Sequence, residues 1–410
     1  MRIVVVGSGG REHALAWKLR DHEVFVVPGN GGTRPTRGLS PEDVHSVAEY
    51  CQELRADLVV VGPEAALDAG LVDVLSAKRI RAFGATRSAA RLESSKSHAR
   101  RFTRKYGVSM PEHWPFESVD EAKQLMRRLD GDAVLKFDGL AAGKGVWVCR
   151  TWREAEAALT ELADRHSASA SGVVERRLVG KEVSLIGLVD GRDVRLLAPA
   201  RDHKRLLDGD GGPNTGGMGV FTPVPDLSPY LMDDIRSEIV APTLDGFVGE
   251  GLEFCGFLYF GVLLSEDGPK LLEYNVRLGD PEAEVVLPAL ESDLLELMVA
   301  CLEHRLSETS VRVSRDAVVD VVLASEGYPS SPVTGRVISG LDRLSSDTLV
   351  FHAGTTRRGE QLVTSGGRVL NVVARAPTIE EARARVYCEV SKIHFEGKLF
   401  RSDIGLGARS

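Results

Sequence analysis

One short segment in the C-terminal half carries side chains suited to hold a metal ion and a substrate anion. It runs from Leu272 to Arg277 and has the order Leu-Glu-Tyr-Asn-Val-Arg. Alternate residues of a β-strand share one face, so Glu273, Asn275 and Arg277 are predicted to project together. A carboxylate and an amide oxygen suit Mg²⁺, and an arginine can hold a carboxylate or phosphate through two hydrogen bonds. The alternative is a polar strand face turned to solvent.

A glycine-rich segment, residues 136–146, could close over phosphates. Its order KFDGLAAGKGV does not match a P-loop, because Gly145 follows Lys144 and no helix pattern begins there. We expect Lys136 to lie on a strand, where its ammonium group could pair with phosphate oxygens. The residues that follow would form a mobile hairpin lid whose amides close over the β- and γ-phosphates. An ordinary exposed hairpin with solvated lysines is the alternative.

Two more glycine-rich turns, residues 7–13 and 28–33, follow strand-like runs near the N-terminus. A glycine turn between a strand and a helix exposes backbone N–H groups at the positive end of the helix, which suits a phosphate. The dinucleotide fingerprint fails, because Glu12 stands at the third glycine position and no acidic residue follows about 20 residues further on. Phosphate contact is therefore favoured over NAD binding, and a plain tight turn is the alternative.

Residues 208–219 form the most glycine-rich stretch of the chain. Six of these twelve residues are glycine, which disfavours both a helix and a strand. Ordering such a loop costs conformational entropy, so a plain surface role is the less favoured alternative. We predict an irregular loop wrapped around a small substrate, with the charged residues 201–205 beside it.

Three groups of elements must position these residues. Buried runs at 3–6 and 58–61 alternate with helical patterns over the first ~95 residues, which predicts βαβ units around a parallel sheet. A basic helical connector is expected at 96–110, and antiparallel hairpins after it. The last ~100 residues predict a small lobe of short strands with one helix at 379–394.

Composition narrows the class of protein. The 410 residues are 43% hydrophobic and 27% charged with a net charge of −8, which is typical of a globular protein and disfavours nucleic acid as a partner. No apolar run approaches the ~18–20 residues that span a bilayer, so no membrane partner is expected. The first strand begins at residue 2 or 3, so we expect no signal peptide. The five cysteines form no CxxC pair and predict buried, reduced thiols in a cytoplasmic protein.

These segments, in this order, resemble the phosphoribosylamine–glycine ligase (glycinamide ribonucleotide synthetase) family of ATP-grasp enzymes. The likeness covers nearly the whole chain, and the pairing of PNTGGMG with a downstream NVRxGDPE is its most specific part. The matching segments are GSGGREH at 7–13, PGNGGT at 28–33, GPE at 62–64, KFDGLAAGKGV at 136–146, DHKR at 202–205, DGDGGPNTGGMG at 208–219, LEYNVRLGDPE at 272–282, TSGGRVL at 364–370 and IHFEG at 393–397.

The resemblance implies a fold and a reaction. The fold is a mixed α/β and α+β multidomain one: a Rossmann-like parallel-sheet domain at 1–96, an ATP-grasp domain at 97–305 with a mobile lid subdomain at about 111–178, and a β-rich domain at 306–410. The reaction joins glycine to 5-phospho-β-D-ribosylamine through a glycyl phosphate, with ATP and Mg²⁺ or Mn²⁺, in purine biosynthesis. We expect these small molecules to be the partners of a monomer or weak dimer.

The resemblance also implies roles for individual residues. Catalytic roles fall on Arg277, Lys136, Asp202 and Asn214, and metal binding on Glu273 and Asn275. ATP contacts fall on Lys105, Lys136, Gly143, Lys144, Glu175, Leu178 and Glu182. Substrate contacts fall on Ser8, Gly9, Gly10, Arg11, Asn30, Gly31, Gly32, Thr33, Glu64, Asp202, Asn214 and Arg277.

One departure and three alternatives remain. The hinge reads Glu175-Arg176-Arg177-Leu178, where the family usually has a second acid and an aromatic residue, so adenine stacking is expected to differ. The alternatives are an ATP-grasp ligase for another carboxylate or amine, a nucleotide-binding relative without turnover, and a nicotinamide oxidoreductase. Glycine-dependent ADP release would distinguish the ligase for glycine from the first alternative. The presence of Lys136, Glu273 and Arg277 disfavours the second alternative.

Overall fold

The structure is a computed structural model that describes residues 1–34, 36–139 and 145–408. The N-terminal part alternates strands and helices as predicted, and the buried runs of valine and leucine form parallel strands in the order β2-β1-β3-β4. Its elements are β1 (Arg2–Gly7), α1 (Gly10–Lys18), β2 (Glu23–Pro28), α2 (Val44–Glu53), β3 (Leu58–Val61), α3 (Glu64–Asp68), α4 (Leu71–Ala77) and β4 (Ala82–Ala85).

Two helices lead from this sheet into a separate four-stranded antiparallel sheet of order β5-β8-β6-β7. The predicted basic connector is α6, whose N-cap Ser95 accepts a hydrogen bond from the His98 amide and whose C-cap is Gly107 with a φ of 69°. The elements are α5 (Arg87–Ser94), α6 (Lys96–Tyr106), β5 (His113–Phe116), α7 (Val119–Arg128), β6 (Ala133–Phe137), β7 (Val146–Cys149), α8 (Trp152–His166) and β8 (Gly172–Arg176).

The central part extends the N-terminal sheet. Strand β15 pairs antiparallel with β4, so one eight-stranded sheet runs from the parallel strands into an antiparallel set. The elements are β9 (Gly180–Val189), β10 (Val194–Leu196), β11 (Arg201–Asp202), β12 (Arg205–Leu207), β13 (Gly211–Asn214), β14 (Gly219–Thr222), α9 (Pro229–Ile235), α10 (Ala241–Glu250), β15 (Phe254–Ser265), β16 (Gly268–Asn275), α11 (Ala283–Ala289) and α12 (Leu294–Leu302).

The hairpin β15–β16 contains a β-bulge at Leu272. Gly261 pairs with Glu273 and Val262 pairs with Leu271, so Leu272 is an extra residue opposite no partner. A bulge interrupts the ladder and leaves a backbone group free for other contacts. The carbonyl of Leu272 is used in this way in the site described below.

The C-terminal part is a β-rich unit with one helix, as predicted, but the helix ends at Val390 and not at 394. Its five-stranded sheet, of order β11-β14-β17-β21-β18, takes two strands from residues 201–222. The ends of the glycine-rich stretch are therefore built into the C-terminal sheet. The elements are β17 (Ala317–Ala324), β18 (Leu349–His352), β19 (Thr355–Arg358), β20 (Gln361–Thr364), β21 (Arg368–Ala376) and α13 (Ile379–Val390).

Two further features concern environment. Among the described residues, no helix is long and apolar enough to cross a membrane. All five cysteines are free thiols, and Cys51, Cys149 and Cys301 are buried. Cys388 is exposed, which corrects the prediction of uniformly buried thiols.

Candidate active site

The predicted polar face lies at the end of β16, where it meets the N-terminal part. Tyr274 and Val276 are each 1% exposed, whereas Glu273, Asn275 and Arg277 are partly exposed, as the predicted alternation requires. The strand itself ends at Asn275, so Arg277 belongs to the segment that follows it. Asn275 and Arg277 both lie within hydrogen-bond distance of Glu93 on α5. We call the region around Glu273, Asn275 and Arg277 the cleft.

Glu273 lies among cations. Burial acts to raise the pKa of this carboxylate, but Lys204, Lys96, Lys136 and Arg277 outweigh it and lower the pKa to about 2. Glu273 therefore stays ionised in the folded protein. A fixed carboxylate surrounded by cations is suited to bind a metal ion together with a phosphate group.

Asn275 is oriented by its neighbours. Its amide nitrogen, placed to satisfy its partners, donates to the Tyr274 carbonyl and to Glu93 Oε1 at 3.1 Å each. The side-chain oxygen is then turned away from Glu93 and available as a ligand. The carboxylate of Glu273 and this oxygen form a hard donor set that fits Mg²⁺ or Mn²⁺. Among the described residues, this face included, no group of three or more His, Cys, Asp or Glu side chains is arranged to hold a metal ion.

The guanidinium group of Arg277 is held in place by three contacts. Its Nε lies 3.2 Å from Glu64 Oε2, its Nη2 lies 2.9 Å from Glu93 Oε1, and its Nη1 donates to the Leu278 carbonyl at 3.1 Å. Burial acts to raise the pKa of Glu64, but Arg277 and Arg11 lower it to about 2. The guanidinium has more N–H donors than these contacts use, so it can still bind a substrate carboxylate.

A second buried cluster links the four-stranded sheet and α6 to β16. Glu175 on β8 accepts Arg100 Nε at 2.6 Å and Lys136 Nζ at 2.9 Å, and all three side chains are at most 6% exposed. Both cations also donate to the Leu272 carbonyl, at 2.6 and 2.8 Å. Burial lowers the pKa of Lys136 although Glu175 acts to raise it. The bulge therefore provides the acceptor that fixes Lys136 beside the metal-binding face.

The structure corrects the expectation for Lys105. This residue lies on the exposed side of α6, where its Nζ pairs with Glu250 at 2.6 Å. The buried basic residue of α6 is Arg100, and positions five apart on a helix differ by about 140° around its axis, so Lys105 points elsewhere. The hinge arginines also point outward, and Arg176 and Arg177 pair with Glu112 and Asp132. Gly143, Lys144 and most of the predicted lid loop lie outside the described residues.

Glu182 and Lys204 face each other across the same cleft. Lys204 Nζ lies 2.6 Å from Glu182 Oε2. Burial acts to lower the pKa of Lys204, but Glu182 and further acidic groups raise it well above its usual value. Leu178 lies in the segment between β8 and β9, and is partly buried. Lys204 is therefore a cation beside Glu273. The sequence analysis had placed it only next to the glycine-rich stretch.

The glycine-rich stretch is more regular than predicted. Residues Gly211–Asn214 pair with Arg205–Leu207 as a short two-stranded sheet, with a register shift, after a single turn of 3₁₀ helix. Gly209 and Gly212 supply left-handed turns with φ of 66° and 76°, so the glycines permit the hairpin to turn. Asn214 ends the second strand and is exposed. The expectation of a loop without strand structure was therefore wrong.

Asp202 lies on β11, ahead of this stretch in the chain, is partly buried and is close to the buried carboxylate of Glu282. Burial, and then the charge of Glu282, raises the pKa of Asp202 well above its usual value. Its Oδ1 has no hydrogen-bond partner among the described residues. Glu282 is held by the Ser184 hydroxyl at 2.8 Å, and Ser184 in turn contacts Tyr259 Oη at 3.0 Å. Asp202 thus presents an unpartnered acceptor beside the loop.

The first glycine turn holds a protein carboxylate. Glu12 folds back so that its Oε2 accepts the Gly9 amide at 2.6 Å, and its Oε1 accepts Arg11 Nε at 2.6 Å. Gly7, Gly9 and Gly62 leave the space for this side chain, since a Cβ at any of them would come within 3 Å of it. Arg11 also donates to the Leu278 carbonyl at 3.1 Å, which ties this turn to the segment after β16.

The second glycine turn contacts the C-terminal part. The Asn30 side chain donates to the carbonyls of Ser8 and His352, at 2.9 and 2.6 Å. The amides of residues 29–33 all donate to acceptors within the protein, including Gly31 to the Thr355 carbonyl and Gly32 to Asn30 Oδ1. None of these amides is therefore free to bind a phosphate. Gly10 packs against Asn371 and Glu284, with no room for a Cβ.

Several residues of the cleft were missed by sequence reasoning because their charges act through long-range contacts. Arg100 could have been found from its position on the inward face of α6, and Arg368 from the matched TSGGRVL segment. Glu282 and Lys204 stand within the matched segments 272–282 and 202–205, whereas Glu93 carried no signal beyond being an acid close to a turn. The missed residues are Glu93, Lys96, Arg100, Lys204, Glu282 and Arg368.

Comparisons with known proteins match the chain over nearly its whole length. Three family models match: the phosphoribosylglycinamide synthetase N domain at residues 1–93, its ATP-grasp (A) domain at 94–283 and its C domain at 318–407. The phosphoribosylamine–glycine ligase of Ralstonia nicotianae is 43% identical and covers 99% of each chain. That of Halalkalibacterium halodurans is also 43% identical, over 99% of this chain and 96% of its own.

Solved structures give the same result at the level of fold. The phosphoribosylamine–glycine ligase of Thermotoga maritima superposes with a TM-score of 0.84 at 34% identity, and covers 98% of this chain and all of its own. A biotin carboxylase from Campylobacter jejuni, in complex with a β,γ-ATP analogue, shares the fold alone, with a TM-score of 0.72 at 14% identity over 97% of this chain and 92% of its own. The chain belongs to the phosphoribosylamine–glycine ligase family of ATP-grasp enzymes.

Proposed function

We propose that this chain joins glycine to 5-phospho-β-D-ribosylamine with ATP, through a glycyl phosphate, and gives glycinamide ribonucleotide, ADP and phosphate in purine biosynthesis. Beyond the family itself, one observation carries the proposal. The carboxylate of Glu273 stays ionised among Lys204, Lys96, Lys136 and Arg277, which come from four different segments of the chain. A divalent ion with a triphosphate can bind at such a point, next to a substrate carboxylate.

The nucleotide half of the cleft would be formed by Lys136 and the residues around it. A lysine ammonium group has three N–H donors. Lys136 uses two of them, on Glu175 and on the Leu272 carbonyl, so one remains for a phosphate oxygen. Arg100 stays paired with Glu175 and fixes that carboxylate. We assign Glu175, Leu178 and Glu182 to the side of the adenine and ribose, and we assign Gly143 and Lys144 to contacts with ATP.

Glu273 and Asn275 would hold a divalent ion, Mg²⁺ or Mn²⁺, whose remaining ligands come from phosphates and water. When bound, the ion neutralises charge on the phosphoryl group in transfer. Arg277, fixed by Glu64 and Glu93, would orient the carboxylate of glycine toward that group. The carboxylate oxygen attacks the γ-phosphorus, the bond to ADP breaks, and glycyl phosphate forms.

The substrate half would receive the amine. The nitrogen of phosphoribosylamine attacks the acyl carbon, phosphate leaves, and the nitrogen loses a proton. Asp202 presents an unpartnered buried oxygen that can accept a hydrogen bond from this amine, and Asn214 lies further along the same stretch. The phosphoribosylamine would lie against Ser8, Gly9, Gly10 and Arg11. Its phosphate would use donors other than the Gly9 amide, which Glu12 already occupies.

The second glycine turn, Asn30–Thr33, would support that pocket through its packing on the C-terminal part. We also propose that the protein acts as a monomer or weak dimer in the cytoplasm, without a nucleic-acid or membrane partner. The net charge of −8 and the free thiols support this setting.

The direct test is ADP release by the purified protein with ATP and Mg²⁺, omitting in turn glycine and phosphoribosylamine generated in situ. We expect ADP only when both substrates are present. ADP release that is indifferent to glycine would overturn the substrate assignment, and other small carboxylates would then be screened. Replacing Mg²⁺ by Mn²⁺ in the same assay measures the metal preference.

A further inference from the structure

The glycine-rich stretch 208–219 is fastened to the C-terminal part at several points. Its flanking strands β11 and β14 belong to the C-terminal sheet, where β14 pairs with β17. Near its start, Asp403 Oδ2 accepts the Gly209 amide at 2.9 Å, and Arg401 Nη1 donates to Asp210 Oδ1 at 2.8 Å. The position of the stretch is therefore set by residues far away in sequence.

The far end of the stretch is held by Arg368, the first residue of β21. Its Nη1 donates to the carbonyls of Gly216 and Asp280, at 2.5 and 2.7 Å, and its Nη2 lies 2.9 Å from Asp280 Oδ1. Tyr328 adds a second contact from the same part, because its Oη accepts the Gly216 amide at 3.0 Å. One guanidinium thus joins the glycine-rich stretch to the segment that follows Arg277.

The geometry around Gly217 connects this contact to Asp202. A Cβ on Gly217 would lie 2.7 Å from Asp202 Oδ1 and 2.4 Å from Pro281 Cδ, and its φ is 115°. The backbone of Gly217 therefore lies directly against Asp202 and Pro281. Any shift of the neighbouring Gly216 would change the space in front of the Asp202 carboxylate.

We propose that Arg368 is a positioning residue for ligation: it holds Gly216 and Asp280 together so that the glycine-rich stretch and Asp202 keep the geometry that binds the two non-nucleotide substrates. This proposal rests on the proposed function. Arg368 acts through the two loops and need not touch a substrate. Lysine would keep the charge but could not make the same fork of hydrogen bonds.

The test compares wild type with Arg368→Lys and Tyr328→Phe, with Arg375→Lys as the matched control. Arg375 lies on the same strand, is exposed and pairs with Asp316 away from the cleft. For Arg368→Lys we expect KM for glycine and for phosphoribosylamine to rise roughly 10-fold, the scale of a lost charge-assisted hydrogen bond, while KM for ATP stays within about 2-fold. Tyr328→Phe should show the same pattern to a smaller degree, and Arg375→Lys none of it.

Amide hydrogen exchange gives a readout that is independent of turnover. We expect faster exchange in Arg368→Lys confined to residues 209–217, with the thermal midpoint unchanged. Unchanged KM values, or an equal rise for ATP, would overturn the proposal. If the wild type shows no ADP release that depends on the two substrates, the proposed function fails by itself. Exchange then decides the positioning role: faster exchange in 209–217 supports it, and unchanged exchange overturns it.

Discussion

The proposed nucleotide half and the proposed substrate half of the cleft balance their charged side chains in opposite ways. Around Lys136, two buried cations share the single carboxylate of Glu175, and each cation also donates to a backbone carbonyl. Around Asp202, carboxylates outnumber cations, and oxygens of Asp202, Glu284 and Asp320 have no hydrogen-bond partner within the described ranges.

The difference indicates what each half is built to receive. Paired cations with a spare N–H attract an anion, which suits the phosphates of a nucleotide. Unpartnered buried acceptors are costly unless they are protonated or meet a donor. Burial, followed by the charges of neighbouring acids, raises the pKa values of Asp320 and Glu284 well above their usual range. The substrate half therefore favours groups that donate N–H bonds, such as the amines of both substrates.

The largest expected effect comes from Glu273→Ala, at the point where the two halves meet. We expect turnover to fall by on the order of 10³-fold, the scale of losing one preorganised electrostatic contact to a transition state. The fold should remain, since no core side chain is removed. ADP release and a thermal melt measure both, with Glu266→Ala in the exposed turn of the same hairpin as the control. Unchanged turnover would contradict the metal-binding role.

Glu175→Gln should break the charge balance of the nucleotide half. It leaves Arg100 and Lys136 buried without a carboxylate, so we expect the free energy of unfolding to fall by about 3–5 kcal/mol. Urea unfolding measures this loss. Glu112→Gln, which removes the exposed partner of Arg176, should cost no more than about 1 kcal/mol. Equal losses in the two variants would show that burial does not distinguish these pairs.

Asp202→Asn should have the opposite signature in the substrate half. Removing a buried, unpartnered carboxylate should leave the free energy of unfolding unchanged or increased. We expect KM for phosphoribosylamine to rise roughly 10-fold, since an amide accepts the amine's hydrogen bond less strongly than a carboxylate, with KM for ATP unchanged. Steady-state kinetics and urea unfolding test both parts, and Asp267→Asn in an exposed turn is the control. A loss of stability in Asp202→Asn would remove the contrast between the halves.

A pH-dependent effect is expected at His13, where the N-terminal and C-terminal parts meet. His13 Nδ1 accepts the His352 amide at 2.9 Å, and burial lowers the pKa of His13 to about 4. The unfolded chain takes up this proton near pH 6.5 and the folded chain only near pH 4. Stability should therefore fall as the pH drops between these values, by up to about 1.4 kcal/mol per pH unit for this group. Urea unfolding of His13→Gln should lack that part of the slope; an identical slope would contradict it.

The sequence predicted the features that depend on local pattern. Alternation identified the face of Glu273 and Asn275, and buried valine runs identified the parallel strands. The resemblance supplied the family and the reaction, which the comparisons confirm. The short strand at Gly211–Asn214 was missed because its order comes from contacts with Arg401 and Asp403, which lie almost 200 residues away.

Local pattern also fails to predict ion pairs whose two partners lie in distant segments of the chain. Lys105 and Arg100 lie on the same basic helix, and only the packing of that helix decides which one faces inward. The glycines at 7–10 suggested an empty phosphate cradle, but the side chain of Glu12 fills it. Such outcomes depend on which oppositely charged groups the fold brings together, and a single sequence does not contain that information.

At the bulge, the presence of the extra residue Leu272 is what matters, and the identity of its side chain is not. The acceptor shared by Arg100 and Lys136 is a main-chain oxygen, so many substitutions at 272 would preserve it. Removing the residue would let Leu271 and Glu273 continue an unbroken ladder with Val262 and Gly261, and the shared oxygen would be lost. We therefore expect substitutions at this position to be tolerated and a one-residue deletion to disrupt the site.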